Sequence, residues 1–170
     1  MTHQHVQPTI AFTPIGTVHS PFIEPAGMPI QPAGAAGVRG TVRIHEPFRE
    51  GLRDLDGFSR IILLYHLHRS QGYSLEVIPF LDTVPHGIFA TRAPRRPNAI
   101  GLSIVRLIAV NGCELVIEGV DVVDGTPLLD IKPYVPEFDC FLDEKSGWFT
   151  GCRDAVAVMK ADQRFCGKGE

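Results

Sequence analysis

The Asn111-Gly112 dipeptide is the feature that most restricts how this chain can fold, because it separates two long apolar runs. GLSIVRLIAV precedes it and CELVIEGVDVV follows it. Asn-Gly is the strongest short-range hairpin signal, since both central positions of a type I′ turn need a positive φ angle. We therefore predict two long antiparallel strands joined by a turn centred on Asn111 and Gly112.

Further short strand signals extend this hairpin into a larger β structure. An Asp124-Gly125 dipeptide marks a second turn before TPLLDIKPYVPEF. Closely spaced strands and turns with few helices are typical of antiparallel barrels and sandwiches. The remaining strands are predicted within TIAFTPIGTVHSPF, within GTVRIH, within RIILLYHLHRS and over residues 87–92.

Helical signals are few. Phe48, Leu52 and Leu55 recur at helical spacing between Pro47 and Gly57, which predicts one short amphipathic helix. Residues 154–164 fit either a short helix or a final strand. The predicted fold class is therefore mainly β, a single antiparallel β-barrel domain with one or two short helices.

Length and composition favour one soluble domain. The chain has 170 residues, and we predict a frayed N-terminus over residues 1–9 and a barrel domain over residues 10–170 without an additional C-terminal domain. No run is long enough to span a membrane and no secretory signal is visible, so we expect a cytoplasmic protein. Four cysteines without a C-x-x-C pair favour free thiols over a metal site.

The loop after residue 91 concentrates three arginines between prolines. Arg92, Arg95 and Arg96 are stiffened by Pro94 and Pro97, and arginine presents a planar fork suited to carboxylates and phosphates. If residues 87–92 form a strand, Arg92 emerges beside the barrel interior, whereas Arg95 and Arg96 face outward. The loop is therefore predicted to recognise anions. A solvated, proline-rich turn without a ligand is the alternative.

A second, acidic group lies downstream. Asp121, Asp124 and Asp130 are followed by Lys132 and Tyr134. Asp124 is most simply a turn residue, and Asp130 can pair with Lys132 on one strand face. The same carboxylates could instead accept hydrogen bonds from an adenine or an amino group.

Other motifs are absent or weak. The sequence has no G-x-G-x-x-G, no Walker loop, no H-E-x-x-H and no G-x-S-x-G, which disfavours a Rossmann nucleotide site and a serine hydrolase. His66 and His68 alternate along a predicted strand, but no nearby carboxylate or cysteine completes a metal site. A net charge of −3 means that nucleic acid could be bound only by a local patch.

Two long blocks of this chain resemble the signature blocks of the TrmO/YaeB/TsaA-like family. They are FATRAPRRPNAIGLSIVRL and DVVDGTPLLDIKPYVPEFD, and IGTVHSPF, QPAGAAG and GFSRIILLYHLHRS match in the same order. The resemblance implies a β-barrel S-adenosylmethionine-dependent methyltransferase. Its expected substrate is N6 of a threonylcarbamoylated adenosine beside the tRNA anticodon, and its expected assembly is a homodimer with the cofactor near the subunit interface.

The chemistry of methyl transfer to adenine, taken with the resemblance, suggests roles for particular residues. Asp121 or Asp130 is expected to accept a hydrogen bond from the reacting amine, and Tyr134 to orient the base. Phosphate contacts are expected from Arg95, Arg96 and Lys132, and no metal is expected. The cofactor site implied by the family comprises Pro32, Ala33, Gly34, His68, Arg69, Arg92, Leu102, Val120, Asp121 and Val122.

Two other functions remain compatible with these residues. One is an S-adenosylmethionine-dependent methyltransferase that acts on another RNA or on a small molecule. The other is a non-catalytic S-adenosylmethionine-binding sensor or interaction protein.

Overall fold

A closed antiparallel barrel organises the chain. The computed structural model describes residues 9–142, 144–150, 155 and 158–165. The barrel closes in the order β1-β2-β7-β6-β3-β8, and β4 and β5 form a separate two-stranded pair. The predicted β-barrel is therefore confirmed. The strands are β1 (Gly16–His19), β2 (Arg39–Ile44), β3 (Arg60–His66), β4 (Glu76–Val77), β5 (His86–Gly87), β6 (Ile100–Asn111), β7 (Glu114–Glu118) and β8 (Thr126–Pro133).

Alternate strand residues fill the barrel interior. On β3, Ile61 and Leu63 are fully buried and Tyr65 is nearly so, as the period of two predicts. Their neighbours Ile62 and Leu64 point to the outer surface and are only partly buried. The interior is thus closed by aliphatic packing along most of its length, and a tyrosine takes the place of an aliphatic residue at one end.

The β6–β7 hairpin is confirmed, but its turn is displaced by one residue from the prediction. Asn111 pairs with Glu114, so the two turn residues are Gly112 and Cys113. Gly112 has φ 63°, whereas Asn111 stays in the strand. Glycine at the first central position is the arrangement of a type II′ turn, which also suits the strand twist.

The predicted strand over residues 87–92 is wrong. The chain pairs with β4 only through His86 and Gly87, and a 3-10 turn then spans Ile88–Ala90. The Thr91 hydroxyl donates to the carbonyl oxygen of Ile88 at 2.9 Å, which holds the turn closed. A local hydrogen bond therefore replaces strand pairing at this point.

The predicted amphipathic helix is also wrong in type. Two 3-10 segments, Glu46–Leu52 and Leu55–Gly57, occupy its place. Asp54 separates them with φ 65°, a left-handed conformation that interrupts a continuous helix. The α-helix bounded by Pro136–Asp139 is short, and further 3-10 turns span Pro32–Ala35, Gly147–Phe149 and Gln163–Phe165.

The C-terminal tail returns to the barrel and pairs with the loop before β2. Lys160 forms an isolated bridge with Pro29, and the Ala161 amide donates to the Met28 carbonyl oxygen at 2.8 Å. Residues 1–8 of the frayed terminus predicted for residues 1–9, and part of the helix or strand predicted for residues 154–164, fall outside the described residues. Among the residues that are described, no helix has the length and apolar character needed to cross a membrane.

Candidate functional site

A pocket of about 400 Å³ lies at the end of the barrel where β3 finishes and β6 begins. Tyr65, His68, Leu102 and Asp121 contribute to its lining, and Arg92 joins them from the arginine loop. Its volume falls in the range of small-molecule sites, roughly 300–1,000 Å³, and its walls combine apolar surface with few polar groups. The pocket is therefore suited to one small organic ligand.

A buried hydrogen-bond chain supports the pocket floor. The Ser103 hydroxyl donates to Oδ1 of Asp121 at 2.6 Å, and the Tyr65 hydroxyl lies 2.9 Å from Ser103 Oγ. Antiparallel pairing places Gly101 opposite Tyr65, and a Cβ on Gly101 would lie 2.1 Å from the tyrosine ring. Only glycine therefore lets the ring lie flat against β6 and reach Ser103.

Burial is the largest cause of the pKa shifts of Asp121, Tyr65 and His68 at this site. Desolvation raises the pKa of Asp121 to about 6, although the Ser103 hydrogen bond and the charge of Arg92 oppose the rise. Burial also raises the pKa of Tyr65, so its hydroxyl remains protonated. The pKa of His68 is lowered, first by burial and then by the charge of Arg69. Asp121 is thus a carboxyl group that changes charge close to neutral pH.

The arginine loop is oriented differently from the prediction. Arg92 is exposed at the pocket edge, where Nη1 donates to Oε1 of Gln31 at 3.0 Å. Arg96 is half-buried and turns back onto the loop, where Nη1 donates to the Thr91 carbonyl oxygen at 2.8 Å. Arg95 is half-buried as well. Alternation along a strand cannot assign these directions because the 3-10 turn Ile88–Ala90 replaces the strand.

The C-terminal tail supplies an aromatic wall. The Trp148 ring stacks on Phe149 with centroids 3.9 Å apart and on His86 with centroids 4.6 Å apart. Its Nε1 donates to the Ala90 carbonyl oxygen at 2.8 Å, which ties the tail to the arginine loop. Trp148 and Phe149 both line the pocket. The wall therefore depends on residues far from the barrel strands in sequence.

The structure brings most of the predicted cofactor residues together. Among the described residues, Pro32, Ala33 and Gly34 do not line the pocket. They form the 3-10 turn directly after Gln31, and Gln31 does line it. The side chain of Val120 is fully buried in the barrel core. The predicted residues that line the pocket are His68, Arg69, Arg92, Leu102, Asp121 and Val122.

Asp130, Lys132 and Tyr134 lie elsewhere in the chain. Lys132 Nζ is 2.8 Å from Oδ2 of Asp130, as their shared strand face predicts. The Tyr134 amide donates to the carbonyl oxygen of Arg60, at the start of β3. Arg60 lies five residue steps from Tyr65 along β3, or about 17 Å. Asp130 pairs with Leu64, next to Tyr65, but neither Asp130 nor Tyr134 lines the pocket with Asp121.

Sequence reasoning missed three polar residues that build the site. Gln31 holds Arg92, whereas Tyr65 and Ser103 form the buried chain to Asp121. A usable signal existed for two of them, because Tyr65 and Ser103 occupy inward positions of apolar strands. A polar group at such a position needs a partner and so indicates a buried network.

His66 and His68 lie in different local elements of the structure. Within the described part of the chain, no three His, Cys, Asp or Glu side chains form a group that could hold a metal ion. His66 is exposed at the end of β3, and His68 lies in the following turn, where its Nδ1 is 3.4 Å from the Thr126 hydroxyl. The two histidines are therefore not presented as alternate residues of one strand.

The barrel and its end pocket define a small-ligand-binding β-barrel whose ligand must suit a partly buried carboxylate beside arginines. The chain belongs to the tRNA-methyltransferase O N-terminal domain family, whose model matches residues 17–140. The family resemblance of the sequence blocks is thereby confirmed.

Individual relatives agree with this membership. A protein of Pyrococcus abyssi named "Probable S-adenosyl-L-methionine-binding protein" is 49% identical over 156 residues, which cover 92% of this chain and 85% of that protein. The Mus musculus "tRNA (adenine(37)-N6)-methyltransferase" is 38% identical over 133 residues, 74% of this chain and 31% of that protein. A crystal structure of TrmO from Pseudomonas aeruginosa superposes with a TM-score of 0.70 at 39% identity, covering 83% of this chain and 63% of that one.

Proposed function

We propose that this chain is an S-adenosylmethionine-dependent methyltransferase that modifies N6 of adenine in tRNA. The proposed target is a threonylcarbamoylated adenosine beside the anticodon. The observation that carries the proposal is a pocket that joins the partly buried Asp121 carboxylate to Arg92 at positions expected from the family. Relatives named as S-adenosylmethionine-binding proteins and as tRNA adenine-N6 methyltransferases support it.

The pocket fits the proposed cofactor. Arg92 and Arg69 supply positive charge for the methionine carboxylate, and Leu102 and Val122 supply apolar surface for the nucleoside. The charge of Asp121 lies on the pocket floor, where it favours a cationic sulfonium nearby. When bound, S-adenosylmethionine supplies an electrophilic methyl group.

Asp121 is the proposed proton acceptor. The exocyclic amine of adenine is a weak nucleophile because its lone pair is delocalised into the ring, and it must lose a proton when it is methylated. A carboxyl group with a pKa of about 6 is mostly ionised at neutral pH and still basic enough to take that proton. The pocket's remaining contribution is orientation, which converts the transfer into an intramolecular step.

Phosphates of the tRNA anticodon stem-loop are assigned to Arg95, Arg96 and Lys132. Arg96 lines the pocket on a loop fixed by its own hydrogen bonds, Arg95 precedes it on the same loop, and Lys132 is exposed on β8. A fixed arginine loses little side-chain entropy when it binds phosphate. The small number of cations means that this contact acts together with recognition of the modified base.

A homodimer is proposed through the outer face of β3 and β6. Ile62 pairs with Ile104 and Leu64 pairs with Leu102 across the two strands, which creates an apolar stripe on the outer surface. Leu102 is 45% exposed although it also lines the pocket. A partner covering this stripe would bury apolar surface and close the pocket edge. We also propose that the protein acts in the cytoplasm, because its proposed substrate is tRNA.

The deciding experiment incubates the purified protein with methyl-labelled S-adenosylmethionine and tRNA that carries threonylcarbamoyl-adenosine. The same tRNA without the threonylcarbamoyl group and an unrelated RNA serve as matched substrates. Label in the modified tRNA alone supports the proposal. Transfer to other acceptors favours the broader methyltransferase, and cofactor binding without any transfer favours a sensor.

A further inference from the structure

The hydrogen bonds that lead to Asp121 run from Tyr65 through Ser103 to the carboxylate, with each hydroxyl donating to the next group. A serine hydroxyl has one proton, and that of Ser103 is donated to Oδ1 of Asp121 at 2.6 Å. The Tyr65 hydroxyl, 2.9 Å away, must therefore donate its proton to Ser103 Oγ. Both donors point toward the carboxylate, and in such a chain each bond polarises the next. The chain thus stabilises the charged form of Asp121.

Tyr65 and Ser103 lie within paired strands, whereas Asp121 does not. Tyr65 lies on β3 and Ser103 on β6, and both are almost fully buried. Asp121 lies beyond the end of β7, outside any strand, so ladder pairing does not orient it. The bond from Ser103 is the contact that ties its carboxylate to the barrel strands, in addition to a hydrogen bond from its own backbone.

We propose that Ser103 and Tyr65 are positioning residues that hold Oδ1 of Asp121, so that its other oxygen, Oδ2, meets the reacting amine. This inference rests on the proposed function. In the methyl-transfer step, the amine nitrogen gains the methyl group while the electron pair of the broken carbon–sulfur bond stays on sulfur. The proton released by the amine passes to Asp121.

The groups facing Asp121 determine the sign of the expected effect. Ser103 faces it from β6, Tyr65 from β3 behind Ser103, and Arg92 from the arginine loop. His68 lines the same pocket from the turn after β3. Loss of a donor to a carboxylate disfavours its charged form. Removing the Ser103 hydroxyl must therefore raise the pH at which Asp121 ionises.

The test is a carbon-13 NMR titration of the Asp121 carboxyl group in the full chain, combined with single-turnover rates across pH. In S103A the midpoint is expected to rise by roughly one pH unit, since a hydrogen bond to a charged group has about that effect. Y65F should shift it in the same direction by less, while S103T, which keeps the hydroxyl, should restore it. The rising limb of the plot of single-turnover rate against pH should shift to higher pH by the same amount.

Y65F keeps the ring that packs on Gly101, so it tests the chain even where S103A does not fold. Y73F removes a hydroxyl from an exposed tyrosine and should leave both readouts unchanged. Coincident titrations for wild type, S103A and Y65F would overturn the inference. Absence of methyl transfer by the wild type, with the midpoint shifts still present, would count against the tRNA activity and leave the hydrogen-bond chain in place.

Discussion

Asp121 and Asp130 lie nine residues apart in the same sequence block, yet their surroundings differ. Asp121 follows β7 at the pocket floor and accepts a hydrogen bond from buried Ser103. Asp130 lies within β8, 2.8 Å from Lys132, with 43% of its side chain exposed. Their chemical identity is the same, so any difference in behaviour comes from desolvation and partners.

Desolvation changes the proton affinity of a carboxyl group in this barrel more than a surface ion pair does. A surface ion pair such as Asp130–Lys132 contributes about 0–1 kcal/mol because water screens it. Burial instead brings the pKa of Asp121 close to neutral, the range that suits proton transfer. Strongly shifted groups in pockets are functional candidates for this reason.

The largest expected effect is on turnover. D121N removes the proton acceptor and should slow methyl transfer by about 10³-fold, within the span attributed to general base catalysis. D130N is the matched control and should stay within about twofold. Single-turnover rates measure both. Equal losses in the two variants would return Asp130 to the reacting centre, through the partner subunit of a homodimer.

The pH dependence of stability should separate the two carboxylates as well. Asp121 has a pKa of about 6 when folded and 3.8 as its ordinary value, so the folded state binds the proton more tightly. Its stabilising contribution is complete below pH 3.8 and is lost as pH rises through about 6. That loss amounts to about 3 kcal/mol at 1.36 kcal/mol per pKa unit.

Denaturant unfolding of wild type and D121N at pH 4 and pH 7.5 measures this contribution. The difference in free energy of unfolding should move in favour of D121N at the higher pH, because the variant has no charge to bury. The same comparison with D130N should show little change. A difference between wild type and D121N that is constant across pH would contradict the assigned burial of Asp121.

Packing beneath Tyr65 gives the next effect. G101A places a methyl group 2.1 Å from the tyrosine ring, so the ring must move away from Ser103. Overpacking of this kind should lower the free energy of unfolding by about 2 kcal/mol. G51A, where no atom lies within 4 Å of the new Cβ, is the control. Equal stability of G101A and wild type would mean that the ring does not depend on this contact.

The smallest expected effect concerns the exposed pair. K132A should change the free energy of unfolding by less than about 1 kcal/mol, and added salt should reduce that difference further. The same variant should weaken tRNA binding at low salt while S-adenosylmethionine binding stays unchanged, since Lys132 is assigned to phosphate. Calorimetry with each ligand separates these outcomes, and a loss of cofactor affinity would contradict the assignment.

Local patterns were sufficient for much of this barrel. Asn111-Gly112 identified the hairpin, and the apolar run RIILLYHLHRS identified the strand β3, because both signals depend on near neighbours in sequence. Family blocks identified Arg92 and Asp121 as site residues, and both line the pocket. Their chemical roles stay predictions.

The failures have a common cause. Residues 87–92 carry a strand pattern, but hydrogen bonds within the Ile88–Ala90 turn replace pairing, and the outward direction predicted for Arg96 is wrong for the same reason. Asp54 breaks the predicted helix through one left-handed residue. Competition between local hydrogen bonds and regular structure is settled by surroundings that a linear pattern does not contain.

The sequence by itself determined the barrel, its main hairpin and the set of residues able to bind an anion or hold a proton. Tertiary structure alone decided which carboxylate is desolvated, since Tyr65, Ser103 and Asp121 come from β3, β6 and the segment after β7. Pairing of β6 with both β3 and β7 brings these three side chains within hydrogen-bonding distance, and desolvation in this packed setting raises the pKa of Asp121.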